Sequence, residues 1–350
     1  MQYICGNHLA GFATTNFSIS LKIGYYALTG FTPMKRKTSF LSVLTILVML
    51  CLSVAAQPPR GEPKPRVRPV TIPISNFTNK ELRNNQTEEF VQAERLIVRE
   101  NNEEQQILSI RSVSESPMSI AVLIQEDLTA NFNLQIRDIQ DFIRNLPKGT
   151  RVMVAYSRSG SLDVRQRFSD DLEKAAKSLR IVVGSQSMAP RSPFDGVSDV
   201  LGRFEGVPLG RRAILLFSDG LDTSQGANLA SISQSFELDQ AILKAQRRSV
   251  AVYSFYSPTE ISEVGNSTFV LAAQGALAKL SDETGGRAFY QGSLAPISYL
   301  PFFRELALSL KRQFALTYLS THMKKSYYKI SVTSTNPEVK IEHPRGYYYR

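Results

Sequence analysis

Residues 119–129 read Ser119-Ile120-Ala121-Val122-Leu123-Ile124-Gln125-Glu126-Asp127-Leu128-Thr129. Five apolar residues in a row, followed at once by polar ones, describe a strand covered on both faces rather than one with a wet side. Leu134, Ile136, Ile139, Phe142, Ile143 and Leu146 then recur at helical spacing, and Pro147-Lys148-Gly149 stops the helix. A second strand follows at 151–156, and 162–168 pairs with it across Ser159-Gly160-Ser161. The unit recurs downstream. Helices are expected at 170–181 and 194–204, and Ala213-Ile214-Leu215-Leu216-Phe217 is another fully apolar strand. A helix at 237–247, a strand at 250–255, a helix at 268–284 and a short strand at 287–290 follow, with a last helix at 298–312. Strands alternating with helices predict an α/β fold with a mostly parallel, doubly wound sheet.

The flanks read differently. Leu96-Ile97-Val98 and Ile107-Leu108-Ser109-Ile110 surround Asn101-Asn102, a hairpin signal. Segments 313–320, 326–333 and 337–343 are strand-like with no helix between them. They predict an antiparallel tail, which could meet the strands of 67–111. The expected organisation is an upstream segment 1–33, a leader 34–56, a proline-rich linker 57–73, a small β unit 74–114, the α/β domain 115–312 and a β tail 313–350.

The apolar run 40–56 follows Met34-Lys35-Arg36-Lys37 and ends in Val54-Ala55-Ala56. A basic start, an apolar centre and a small-residue end predict a secretory signal peptide cleaved after Ala56. The competing reading is an uncleaved anchor, although the run is short for a bilayer span. The 1–33 segment is not expected to be native sequence, because such a leader begins at the N-terminus and Met34 would then be the start. The whole sequence carries 41 Lys and Arg against 31 Asp and Glu, a net charge of +10. Residues 1–56 hold four cations and no acid, so the exported chain would carry +6. They also hold both cysteines, Cys5 and Cys51, which leaves no disulfide or thiol chemistry. No basic stripe is interleaved with aromatics, so nucleic-acid binding is not expected. A secreted or periplasmic location and no membrane span in the mature chain follow from this reading.

Ligands of open α/β sheets sit beyond the carboxyl ends of the strands. Two such ends carry polar residues: Gln125-Glu126-Asp127-Leu128-Thr129 and Asp219-Gly220-Leu221-Asp222-Thr223. At these residues the stretch 115–312 resembles the von Willebrand factor A domain. More closely, the chain resembles the secreted A-domain-related proteins abundant in Acidobacteria, which share the leader, a small β unit and a β tail. The tail Tyr327-Tyr328-Lys329-Ile330-Ser331-Val332, with His343-Pro344-Arg345-Gly346-Tyr347-Tyr348-Tyr349, is similar to that family's ending.

The resemblance implies a metal-ion-dependent adhesion site. In that family the first strand ends in Asp-x-Ser-x-Ser, and these oxygens, a loop Thr and a later Asp hold Mg²⁺, a hard cation that prefers oxygen ligands. Aligned without gaps, Gln125 takes the first Asp position, Asp127 and Thr129 the two Ser positions, and Asp219 the later Asp. The loop Thr falls at Arg191 or Ser192. A register shifted by two residues would use Asp127, Thr129 and Asn131 instead. Under the ungapped register Gln125 offers only a neutral amide and Arg191 opposes a cation. The expected site (Asp127, Thr129, Asp219) is therefore degenerate, with Mg²⁺ held weakly or not at all and Asp127 paired to Arg191.

The chain lacks a full set of catalytic groups. Its mature part has only His322 and His343, both in the tail, and neither a Gly-x-Ser-x-Gly nor a Walker loop. The 125–129 stretch also resembles the Asp-x-Asp-x-Thr of haloacid-dehalogenase-like phosphatases, but Gln125 cannot be their nucleophile. The expected function is an exported, non-enzymatic interaction or adhesion module without a cofactor. Its unknown protein or envelope partner would meet Gln125, Glu126, Asp127, Thr129, Arg191, Ser192, Asp219 and Asp222. The alternatives are a metal-dependent hydrolase using Glu126, Asp127, Asp219 and Asp222, or a structural envelope protein assembled through the flanking β segments.

Overall fold

The computed structural model describes residues 66–78, 96–113, 116–158, 161–184, 191–208, 210–226, 235–264, 267–292, 294 and 296–349. The upstream segment, the leader and residues 57–65 of the expected linker lie outside the described residues.

A six-stranded sheet is built from β4 (Met118–Gln125), β5 (Arg151–Arg158), β6 (Ser161–Ser169), β7 (Arg211–Ser218), β8 (Ala251–Tyr256) and β9 (Ala288–Phe289), in the order β6-β5-β4-β7-β8-β9. All pairs are parallel except β5 with β6, which run antiparallel. This is the doubly wound order, with the chain switching sides between β4 and β7. Every residue of β4 is buried, as its unbroken apolar run requires. Ile120, Val122 and Ile124 face one layer, formed by α1 (Ile136–Arg144), α2 (Leu172–Lys177) and α7 (Leu300–Lys311). Ala121 and Leu123 face the other, formed by α3 (Pro193–Arg203), α4 (Phe236–Arg248) and α6 (Ser267–Thr284). A single turn, α5 (Glu260–Val264), precedes α6.

Side-chain caps mark where the helices begin. Ser192 Oγ accepts from Phe194 N–H with Pro193 next in line, and Ser235 Oγ accepts from Leu238 N–H at 3.0 Å. The helix expected over 170–181 is shorter. Asp171 caps it, Ser178 bonds back to Ala175 O at 2.7 Å, and the β-branched run 181–183 continues without helix. Leu134 also leaves its expected place on a helix face, because residues 130–135 form a 3-10 turn and α1 starts only at Ile136.

The flanking segments meet, as the expected contact between the tail and the strands of 67–111 allowed. The small β unit and the β tail form one antiparallel sheet of seven strands, ordered β12-β1-β10-β3-β2-β11-β13. It comprises β1 (Arg68–Thr78), β2 (Leu96–Glu100), β3 (Glu103–Ser112), β10 (Gln313–Ser320), β11 (Tyr327–Ser334), β12 (Val339–Glu342) and β13 (Gly346–Tyr348). The linker boundary at 73 is corrected, since Arg68 to Ser75 pair residue by residue with Ser320 to Gln313. Its prolines are tolerated there because β12 covers only Ser75 to Thr78, which leaves Pro69 and Pro73 an open edge where a missing N–H costs no ladder bond. Val70, Ile72, Ile74, Val98, Leu316, Tyr318, Ile330 and Val332 fill the concave side. The sheet is rolled: β1 stands second and β13 last, yet the Arg68 guanidinium lies 3.8 Å from the Tyr349 ring centre and 5.3 Å from that of Tyr347. At the junction of the two sheets, Arg287 donates to Glu342 at 2.6 Å and to Glu305 at 2.9 Å.

Candidate functional site

The switch point between β4 and β7 gathers the polar residues singled out from the sequence. The turn after β4 is clamped on both sides: Glu126 N–H donates to Ser157 O at 2.9 Å, and Thr129 N–H donates to Pro258 O at 3.0 Å. The turn after β7 is drawn tightly inward at Gly220, whose φ is +71° and where a Cβ would stand 2.6 Å from Ala273 O, so only glycine fits. The residue ahead of α3 is tied to this second turn. Thr223 N–H donates to Arg191 O at 2.8 Å, and Arg191 N–H donates to Thr223 Oγ1 at 3.2 Å.

These ties place the Arg191 guanidinium between two carboxylates. Its Nη1 lies 3.1 Å from Asp127 Oδ2, and its Nη2 lies 3.0 Å from Asp219 Oδ2. Arg191 and Asp219 are buried, while Asp127 is partly exposed. Asp219 also accepts from the Thr259 hydroxyl at 2.7 Å and from Leu221 N–H at 3.1 Å. Burial pushes the Asp219 carboxyl above its ordinary value, while the guanidinium and the Thr259 hydroxyl pull it back down. The pair expected between Asp127 and Arg191 is therefore present, and Asp219 shares it.

The remaining candidates divide among separate partner sets. Gln125 Oε1 accepts from the Ser218 hydroxyl at 2.6 Å and from Asp219 N–H at 3.3 Å, so this oxygen is engaged within the strand ends. Glu126 pairs with Arg180 at 2.5 Å and with Arg158 at 4.0 Å. Asp222 accepts from Ser192 Oγ at 2.9 Å, from Ser224 Oγ at 2.7 Å and from Ser235 Oγ. The Thr129 hydroxyl is buried with no hydrogen-bond partner among the described residues. Glu126, Asp127, Asp219 and Asp222 do not converge on one point. Among the described residues no three acid, imidazole or thiol groups are placed to share a metal ion.

The ligand set implied for Mg²⁺ does not fit these residues. A small dication needs several oxygens directed at one point. Between Asp127 and Asp219, that direction is taken by N–H donors of a fixed positive charge. Thr259, Ser224, Ser235 and Arg180 were not picked out from the sequence. Thr259 follows the end of β8 as Asp127 follows β4 and Asp219 follows β7, so the rule of strand carboxyl ends pointed to it. Ser235 carried an N-cap signal ahead of Phe236-Glu237.

No protein-family model matches the chain, and no curated protein matches it. Solved structures similar to it include an aerotolerance-related membrane protein from Bacteroides fragilis, with TM-score 0.41 and 10% identity over 55% of this chain and 98% of that one. A von Willebrand factor type A protein from Catenulispora acidiphila matches with TM-score 0.39 and 10% identity over 82% of this chain and 74% of that one. A mussel byssus protein, proximal thread matrix protein 1, matches with TM-score 0.39 and 12% identity over 62% of this chain and 51% of that one.

Proposed function

We propose that this chain is an exported, non-enzymatic interaction module of the von Willebrand factor A type, close to the secreted acidobacterial form. In this reading it binds a protein or envelope component at the carboxyl edge of its six-stranded sheet without a metal ion. The observation that carries the reading is the Arg191 guanidinium bridging Asp127 and Asp219. An adhesion site of the metal type offers a partner's acid an open coordination position; this one offers a guanidinium already shared by two carboxylates, with Asp127 and Glu126 at the rim. The division of the four acids among separate partners supports binding over metal-assisted hydrolysis.

The test is capture of binding partners from envelope extract with and without EDTA. The wild type and a Glu126→Ala/Asp127→Asn variant of unchanged melting temperature are compared. A partner held equally in EDTA and lost in the variant is the expected result. Binding that requires Mg²⁺, or that survives the rim changes, overturns the reading.

A further inference from the structure

Beside the candidate site, on the layer of α1, α2 and α7, aliphatic side chains stand out into solvent. Leu134 is 77% exposed, Ile181 64%, Val183 72% and Ile297 96%, with Leu300 also exposed. They come from three segments that are pinned together. Asn133 donates from Nδ2 to Val182 O at 3.0 Å and accepts from Val182 N–H at 2.8 Å. Gln135 Nε2 donates to Pro296 O at 3.1 Å and to Ile297 O at 2.8 Å. Leu134, between these two residues, therefore stands between the 181–183 segment and the 296–300 segment. Val182 is buried while Ile181 and Val183 point outward, the alternation of an extended segment. The result is one group of aliphatic tips held by hydrogen bonds between the Asn133 and Gln135 side chains and the neighbouring backbone.

We propose that this group docks the protein on an anionic lipid bilayer by inserting its aliphatic tips among the acyl chains. Two observations favour lipid over protein. First, five side chains fall far short of the roughly 20–30 residues a side of a stable protein interface, whereas membrane attachment scales with whatever apolar area is inserted. Second, the exposed tips of the group are Leu, Ile and Val, without the Tyr and Trp that anchor protein hot spots. Exposed Arg137, one helical turn beyond Leu134, supplies a cation at the rim, and the exported chain carries +6. Both favour anionic headgroups.

The chain contains no tryptophan, so a single introduced indole reports its own surroundings. Full-length Ile297→Trp is mixed with vesicles of phosphatidylcholine containing phosphatidylglycerol, and its emission is compared with that of Leu271→Trp. Leu271 is also well exposed, at 68%, on α6 in the opposite layer. A vesicle contact made by the apolar run 40–56 alone would leave the indole at 297 in water. The expected result is a blue shift and quenching by brominated acyl chains at 297 and neither at 271. Adding Leu134→Glu or Ile181→Glu, both surface changes that spare the fold, should lower vesicle partitioning about tenfold each, or about 1.4 kcal/mol. Raised salt should weaken it further. Equal behaviour at 297 and 271, or no shift at 297, overturns the proposal. So does a shift at 297 that appears without vesicles and grows with protein concentration, which would assign the group to contact between copies of this chain.

Discussion

Arg191 and Asp219 form a buried ion pair at 3.0 Å, joining the segment that leads into α3 to the residue that follows β7. A single guanidinium charge from within the chain occupies the point where a divalent ion would sit. Wild-type protein should show no Mg²⁺ or Mn²⁺ binding by calorimetry at micromolar affinity. Gln125→Asp/Asp127→Ser/Arg191→Thr restores the acid, the hydroxyl and the loop threonine together, and should gain binding. Micromolar binding by the wild type contradicts the account.

Removing the guanidinium alone should be costly, because it strands a fully buried carboxylate. Arg191→Met is expected to lose about 3–5 kcal/mol of stability in urea unfolding at pH 7. Burial already raises the Asp219 carboxyl, and without Arg191 the rise is larger. A raised carboxyl favours the folded state when protonated, so the variant should regain stability as the pH falls. Adding Asp219→Asn should recover part of the loss at pH 7 and remove that pH dependence.

His343 predicts a dependence of the opposite sense. It is buried, its Nε2 accepts from Val332 N–H at 3.2 Å, and its Nδ1 lies 3.0 Å from Pro344 O, an arrangement of neutral imidazole. Burial lowers its pKa below the ordinary 6.5. The unfolded chain then binds the proton first, so stability is held above about pH 6.5 and lost as the pH falls below it. Urea midpoints should drop between pH 7.5 and 5.5 in the wild type, and less in His343→Gln.

Glu100 is fully buried in the rolled sheet, 3.7 Å from Arg68, and accepts from the Tyr347 hydroxyl at 2.7 Å. Arg68→Met removes the cation from both the carboxylate and the tyrosine rings, and should cost about 3–5 kcal/mol. Arg68→Lys keeps the charge without the planar stacking, and should cost less. Thermal unfolding of the two variants separates these contributions.

Two glycines should respond in opposite directions. A Cβ on Gly286 would stand 2.1 Å from Val252 O, so Gly286→Ala must push β8 away and should destabilise by about 3 kcal/mol. Gly275 lies within α6 with open space around its Cβ position, and Gly275→Ala should stabilise by about 1 kcal/mol. Denaturant midpoints measure both.

The apolar runs at 120–124 and 213–217 were legible in the sequence as strands covered on both faces, because burial on two sides leaves no polar position to interrupt them. The strand ends bearing Asp127 and Asp219 were legible for the same reason, and the opposed charges of Asp127 and Arg191 foretold their pairing. Tertiary structure alone decided the strand order and register in which the flanks combine. The pairing of Arg68 with Ser320 spans most of the chain, and no local pattern records a register set by so distant a partner. It also decided that Asp219 shares Arg191, since that depends on how the turns after β7 and before α3 are tied through Thr223. Leu134, Ile181 and Ile297 are indistinguishable by residue type from core positions. Only the placement of their backbones, fixed by Asn133 and Gln135, turns them to solvent.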